Sequence, residues 1–405
     1  MKRMSPFRKL ISYEEAKKIV LENVKPVEQT EEISIDEAYE RVLAEDLTAK
    51  ISVPPFDRAA MDGYAVKAED TYGASRFKPK KLKLLGAAYP GKPFNGKVGR
   101  GECIQIATGC PMPAGANAVV MVENTQEREG FVEIYKPVYP IANVAPKGED
   151  IEKGDKILKA GTYLTPPKIG VLAALGEKTV KVYVKPNVSI ISTGTEIKEV
   201  GSKIEEGEIY DINSHTLSAV VMANGGSPVR YGIIPDSYEE LKLGIKKSLK
   251  NDLIVLSGGS SVGTRDLLYN IIEELGEVLF HGVQVKPGKP TLFGLIQGKP
   301  VLGMPGYPTS CLSNAYLFLA PAVRKMARIP EREPKKVKVK MGHRFASSSG
   351  RAQFLTVKIR DGKAYQAFKE SGAITSMSEA DGYILVPVNA DVIEEGEEVA
   401  VTLLE

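Results

Sequence analysis

At 405 residues the chain is too long for one compact core, and roughly 100–200 residues per domain points to two to four domains. Lys and Arg number 54 against 51 Asp and Glu, a net charge of +3, so there is no basic stripe to argue for nucleic acid or an anionic membrane surface. The cysteines, Cys103, Cys110 and Cys311, are odd in number and lack CxxC spacing; this disfavours a disulfide framework or zinc knuckle and fits a reducing cytosol. The basic start "MKRMSPFRKLISYEEA" has no apolar run of the signal-peptide kind, and no stretch reaches the roughly eighteen apolar residues of a membrane span. The expectation is a soluble, cytoplasmic protein with no nucleic-acid or membrane partner.

In chain order, "SYEEAKKIVLENV" predicts a helix with Ser12 and Glu15 at capping-box spacing, and "SIDEAYERVLAED" predicts a second with Ser34 and Glu37. From about Ile51 the texture changes. Pro54-Pro55, Pro90-Gly91, Pro93, Pro111 and Pro113 interrupt short β-rich runs such as "ECIQIA" and "AVVMVE", which reads as a turn-rich β-domain. "YLTPPKIGVLAALG" returns to helix, and the strand "KTVKVYV" follows.

Residues 186–330 alternate strand and helix. "NVSIIS", "PVRYGII" and "DLIVLS" read as strands. Ser214 is the expected cap of a helix through "HTLSAVVMANGG", Ser237 and Glu240 are the expected capping box within "SYEELKLGIKKSLK", and Leu267, Leu268, Ile271, Ile272 and Leu275 mark another helical stripe. This alternation predicts a largely parallel, doubly wound sheet with helices on both faces. "PEREPKKVKVK" reads as a linker. Beyond it, "QFLTVKIRDGKAYQAF", with Asp361-Gly362 as its hairpin turn, and "DGYILVPVN" predict a small β-barrel.

Ligands of such sheets bind beyond the carboxyl ends of the strands. There the sequence offers Gly194 and Glu196 in "STGTEI", Asp236 in "IIPDS", and Ser257, Gly258, Gly259 and Asp266 in "SGGSSVGTRD". Lys286 and Lys289 in "VQVKPGKP" and the turn "GMPGYP" follow. Backbone N–H groups and lysines suit a phosphate or oxyanion, while carboxylates in the same place need a bridging hard cation, Mg²⁺ being the economical choice. Taken singly, each piece has an ordinary reading as well: a tight turn, a solvated lysine pair, a first-turn acid. Neither GxxxxGK[ST] nor GxGxxG occurs, and His215, His281 and His343 lack metal-binding spacing.

Jointly, "SGGSSVG", "KPGKP", "GMPGYP" and "STGTEI" resemble the molybdopterin molybdenumtransferase family, which includes the bacterial MoeA proteins and the gephyrin E-domain. "PPFDRAAMDGYAV", "ATGCPMPAGANAVVMVE", "KGEDI", "GRAQF" and "SGAITSM" extend the likeness, in order, over nearly the whole chain. The resemblance implies a discontinuous linker and dimerisation domain at 1–50 and 145–185, with an inserted β-domain at 51–144. It further implies a molybdopterin-binding α/β domain at 186–330 and a β-barrel at 331–405. It implies a homodimer with a cleft shared between subunits, a molybdopterin adenylyltransferase as partner, and insertion of molybdate or tungstate into adenylylated molybdopterin with Mg²⁺ and AMP release.

By motif position, the resemblance gives catalytic carboxylates to Asp62 and Asp150 and a hydroxyl to Thr108. Glu196, Asp236 and Asp266 would hold or flank Mg²⁺ and position water. Ser257, Gly258, Gly259, Lys286 and Lys289 would bind the anionic substrate, with Arg351 and Ser376 approaching from the barrel. Thr195 and Tyr307 stand where the family often has aspartate and asparagine. A molybdopterin adenylyltransferase, which resembles only the α/β domain, and a pterin-binding scaffold of the gephyrin kind are the competing readings.

Overall fold

The computed structural model describes residues 10–258, 267–331, 333–347, 350–367 and 372–404. The chain forms two compact units, one made of residues 1–31, 40–42 and 182–405, the other of 32–39 and 43–181.

In the first unit, helix α1 (Tyr13–Asn23) starts as its sequence dictates, with Ser12 Oγ accepting the Glu15 N–H at 3.1 Å. Its Ala16 and Val20 enter a core with Leu217, Phe318 and Val323. The α/β part then runs β1 (Asn187–Thr193), α2 (Asn213–Ala223), β2 (Ser227–Ile234), α3 (Tyr238–Ser248), β3 (Leu253–Ser257), α4 (Leu267–Leu275), β4 (Gly276–His281), β5 (Leu292–Ile296), β6 (Lys299–Met304) and α5 (Pro308–Asn314). The sheet order is β2-β1-β3-β6-β5-β4, with parallel pairings from β2 through β6 and antiparallel ones at β6-β5 and β5-β4. The antiparallel edge has a local cause. Only Gln297 and Gly298 separate β5 from β6, both at positive φ (52° and 76°), a two-residue turn that closes a hairpin and is far too short for a crossover.

Every residue of β3 is buried, which explains its unbroken apolar run. The pleat then divides the core. Val188, Ile190 and Val255 pack on the face carrying α1 and α2, and Ile191, Ile254 and Leu256 on the face carrying α3 and α4. The capping expectations fare unevenly. Helix α2 begins at Asn213, and the carboxylate of Asp211, not Ser214, accepts the Ser214 N–H at 3.0 Å. Ser237 is the N-cap residue of α3 but makes no side-chain capping bond.

The carboxyl-terminal strands are β7 (Lys336–Met341), β8 (Ala352–Arg360), β9 (Lys363–Gln366), β10 (Gly382–Val386) and β11 (Glu398–Leu403). They pair in the order β8-β9-β7-β11-β10, and β10 pairs back onto β8, closing a five-stranded barrel around Met341, Leu355, Val357, Val386 and Val401. Asp361 and Gly362, at φ 49° and 72°, make the predicted hairpin turn. Half of the predicted linker "PEREPKKVKVK" is strand β7, because its alternating Val337 and Val339 meet Val401 and Val399 of β11.

The second unit holds a six-stranded sheet ordered Ala118–Met121, Gly63–Val66, Glu102–Ile106, Lys80–Ala88, Phe131–Ile134, Thr125–Arg128. Tyr64 and Val66 face one apolar cluster and Ala65 the other, as strand alternation requires. A helix, Pro166–Ala174, follows with Thr165 at its N-cap. The predicted helix "SIDEAYERVLAED" is not formed. Its first residue ends the strand Thr30–Ser34, Ile35–Glu37 make one 3₁₀ turn capped by Ser34, and Leu47–Thr48 pair with Lys156–Leu158. The Ile35 N–H donates to Lys178 O and the Ala44 N–H to Lys181 O, so long-range backbone pairing overrides the local helical pattern.

Candidate functional site

Register brings the candidate strand ends to one edge of the α/β sheet. Thr193 lies opposite Ile234, Ser192 opposite Ser257, and Ser257 opposite Met304. The antiparallel pair sets Leu292, at the start of β5, opposite Gly303, so the KPGKP loop enters at this same edge. Thr193 Oγ1 donates to Asp236 Oδ1 at 2.5 Å and fixes that carboxylate at the mouth of β1. Asp236 and Glu196 are both exposed. Glu196 folds over Gly194, whose hypothetical Cβ would sit 2.8 Å from Glu196 Oε2.

Gly258 has a physical reason to be glycine: φ is +94°, and a Cβ would lie 2.3 Å from Thr193 O. Its N–H donates to Met304 O at 3.2 Å. Ser257 is fully buried, its hydroxyl 3.3 Å from that of Ser192, so this side chain ties β3 to β1 and only its backbone reaches the edge. Gly259 and Asp266 lie outside the described residues. Sequence reasoning missed Asp211 and Asn213, buried polar groups at this edge; Asn213 Nδ2 donates to Gly306 O at 2.7 Å and so holds the GMPGYP turn.

A cleft of about 240 Å³ opens beside the KPGKP loop, lined by Lys286, Gly288, Lys289, Ser310, Arg351 and Gln353 among others. Residues Val285–Lys286 pair in parallel with the start of β8, Lys286 opposite Gln353, which carries Arg351 to the lysines across 65 residues of sequence. Lys286, Lys289 and Arg351 are all half-buried. Three cations sharing one small cleft suit an anion with several oxygens. Ser376 is placed differently from the expectation that it approaches the ligand. It is fully buried, its hydroxyl donates to Ala373 O at 2.5 Å, and it is not among the residues lining the cleft. Ser310 and Gln353 do line it, and neither carries a sequence signal, since only the strand pairing and α5 bring them in.

In the second unit Asp62 and Thr108 meet. Asp62 Oδ1 accepts the Thr108 N–H at 2.6 Å and its hydroxyl at 2.9 Å. The backbone bond first, then the hydroxyl, hold the pKa of the fully exposed Asp62 carboxyl below its ordinary value. Asp150 is exposed on a loop tied by its own N–H to Val53 O at 3.0 Å.

Among the described residues no three His, Cys, Asp or Glu side chains assemble into a metal-holding group. The cysteines are buried, and burial raises each thiol above its usual pKa, Cys103 to about 12, which marks them as inert core residues. No helix among the described residues is long and apolar enough to cross a membrane.

Comparison with known proteins is decisive at this point. Residues 11–176 match the MoeA N-terminal region (domains I and II), residues 189–325 a probable molybdopterin binding domain, and residues 338–404 the MoeA C-terminal region (domain IV). The chain belongs to the MoeA family of molybdopterin molybdenumtransferases. A putative molybdopterin biosynthesis protein of Methanocaldococcus jannaschii is 39% identical over 415 residues, covering 99% of this chain and 100% of that one. The molybdopterin molybdenumtransferase of Haemophilus influenzae is 34% identical over 319 residues, 78% of each chain. The solved structure of a MoeA molybdopterin biosynthesis protein from Pyrococcus horikoshii superposes with a TM-score of 0.85 at 42% identity, covering 98% of this chain and 100% of that one. The MoeA resemblance read from "KPGKP", "GMPGYP" and "AMDGYA" is therefore borne out across the chain.

Proposed function

We propose that this protein is a transferase of molybdenum cofactor biosynthesis that inserts molybdate, or the isosteric tungstate, into adenylylated molybdopterin with release of AMP. The observation that carries this reading is the cleft in which Lys286, Lys289 and Arg351 converge. A tetrahedral dianion such as molybdate, or the phosphate of a pterin, needs several cationic donors held in a fixed arrangement, and this cleft offers three at the ligand edge of the sheet.

The two lysines and Arg351 bind and orient the oxyanion, while the backbone at Gly258, and by motif position at Gly259, would face the phosphate part of the nucleotide-linked pterin. Glu196 and Asp236 follow neighbouring strands, and by motif position Asp266 would join them in offering Mg²⁺ carboxylate oxygens beside the substrate phosphate. Such a cation would neutralise the developing charge on the cleaved phosphoanhydride. Asp236, oriented by Thr193, and Glu196 would also order the attacking water. Asp62 with Thr108, and Asp150, keep the acid and hydroxyl roles that their motifs carry. A homodimer in the cytoplasm, working with a molybdopterin adenylyltransferase, completes the proposal. A stand-alone adenylyltransferase is disfavoured because the matched regions extend well beyond the α/β part, over residues 11–176 and 338–404.

The test is direct. Purified protein given adenylylated molybdopterin and Mg²⁺ should release AMP in step with added molybdate or tungstate. Release that ignores the oxyanion, or none at all, contradicts the proposal.

A further inference from the structure

Lys289 is held from beneath by side chains that no motif singles out. Asn314, the last residue of α5, and Thr291 are both fully buried. Asn314 Nδ2 donates to Gly288 O at 3.0 Å and to Thr291 Oγ1, and Thr291 Oγ1 donates to the same Gly288 O at 2.8 Å. These bonds fix the amide's orientation. The hydroxyl proton of Thr291 is spent on Gly288 O, so its oxygen can only accept from Asn314, and a flipped amide would set two carbonyl oxygens against each other. On the other side of Lys289, its own carbonyl accepts the Val283 N–H at 3.0 Å. Both carbonyls that flank the Lys289 Cα are thus pinned, and the direction in which its side chain leaves the loop is set by them.

Three further observations make this more than ordinary packing. Gly288 sits at φ +111°, and a Cβ there would fall 2.3 Å from Asn314 Nδ2 and 2.6 Å from Oδ1, so the amide lies flat against a position only glycine can hold. Among the described residues Asn314 Oδ1 is buried with no hydrogen-bond partner, an uncompensated acceptor that an apolar residue would avoid. Immediately after Asn314, residues Ala315–Leu319 leave α geometry for a π turn, a departure that recurs at functional positions and here falls where the helix presents the amide to the loop.

We infer that Asn314 and Thr291 are positioning residues that clamp the Gly288 carbonyl and thereby aim Lys289 into the anion cleft, so that oxyanion affinity depends on two side chains that do not themselves line it. The inference rests on the oxyanion reading of the cleft. Isothermal titration of the full chain with sodium molybdate at fixed ionic strength tests it, with thermal melts run in parallel. Asn314→Leu and Thr291→Val should each weaken molybdate binding about tenfold or more through the loss of buried hydrogen bonds, whereas Thr291→Ser, which keeps the hydroxyl, should stay within about twofold. Val401→Ala, a barrel-core change away from the loop, should lower the melting temperature and leave the Kd unchanged.

Wild-type binding with unchanged Kd in Thr291→Val overturns the clamp alone, and this mild substitution serves even if Asn314→Leu fails to fold. An equal loss in Val401→Ala overturns it too, by reducing the effect to general destabilisation. Failure of the wild type to bind molybdate removes the oxyanion reading itself, and the clamp with it.

Discussion

Around Lys286 and Lys289 the charged groups are half-buried cations whose backbone is tied to fully buried amide and hydroxyl side chains. Around Asp62 the charged group is a fully exposed carboxylate, and one neighbour, Thr108, supplies both of the bonds that orient it. The two regions teach that a charge needs a scaffold in proportion to its burial. An exposed anion keeps its solvation and needs only local donors, whereas cations gathered in a cleft repel one another and lose water, so their roots must be fixed by groups from distant segments.

Five substitutions break or sharpen this contrast. The largest effect is expected at Gly63, beside Asp62, where an added Cβ would lie 1.9 Å from Val120 O of the neighbouring strand. Since a backbone atom cannot step aside, Gly63→Ala should destabilise the second unit by roughly 3 kcal/mol or more, read by urea denaturation. A loss below about 1 kcal/mol would mean that the strand pair at Asp62 yields to the added methyl group.

Next, Lys289→Ala and Lys286→Ala should each cost about 1.5–3 kcal/mol of oxyanion binding, roughly ten- to a hundredfold in Kd, with little change in melting temperature. A merely solvated lysine would leave the Kd alone. Third, Phe354, which lines the cleft, stacks on Tyr383 with ring centroids 4.1 Å apart and an interplanar angle of 17°. Tyr383→Leu should cost about 1 kcal/mol of barrel stability in denaturant and only slightly weaken anion binding.

The smallest effect concerns Asp62. Its folded pKa is depressed, so its contribution to stability is present above the unfolded pKa and is lost as pH falls through the folded one. Thr108→Val removes the hydroxyl but keeps the stronger backbone donor, so the carboxyl pKa should rise only part of the way to its ordinary value, as followed by carboxyl-carbon NMR titration. No movement would assign the whole shift to the backbone.

How far each part could be foreseen follows from how local its physics is. Ser12 caps its helix as read, because a cap needs only residues three apart. Asp361-Gly362 and the strand run "DLIVLS" were legible for the same reason, one from turn chemistry and the other from sustained apolarity. "SIDEAYERVLAED" misled because its helical spacing competes with backbone partners at Lys178 and Lys181, more than a hundred residues away. Ser214 reads as a cap from its residue type, yet Asp211 takes that role, because both types cap helices and only the actual start of α2 separates them. Within the site, the glycines, lysines and Asp236 stood out by type and place. Gln353, Ser310, Thr291 and Asn314 did not, being ordinary until neighbours surround them.

By itself, then, the sequence determined the first three strands of the α/β part and the helices that follow them, and which charged residues come after strands, because these depend on periodicity and on side-chain chemistry over a few residues. Tertiary structure alone decided that Ser310 and Gln353 line the cleft beside Lys286 and Lys289, and that Ser376 is buried inside the fold. Those outcomes depend on register and burial, which arise only when segments far apart in the chain compete for the same partners.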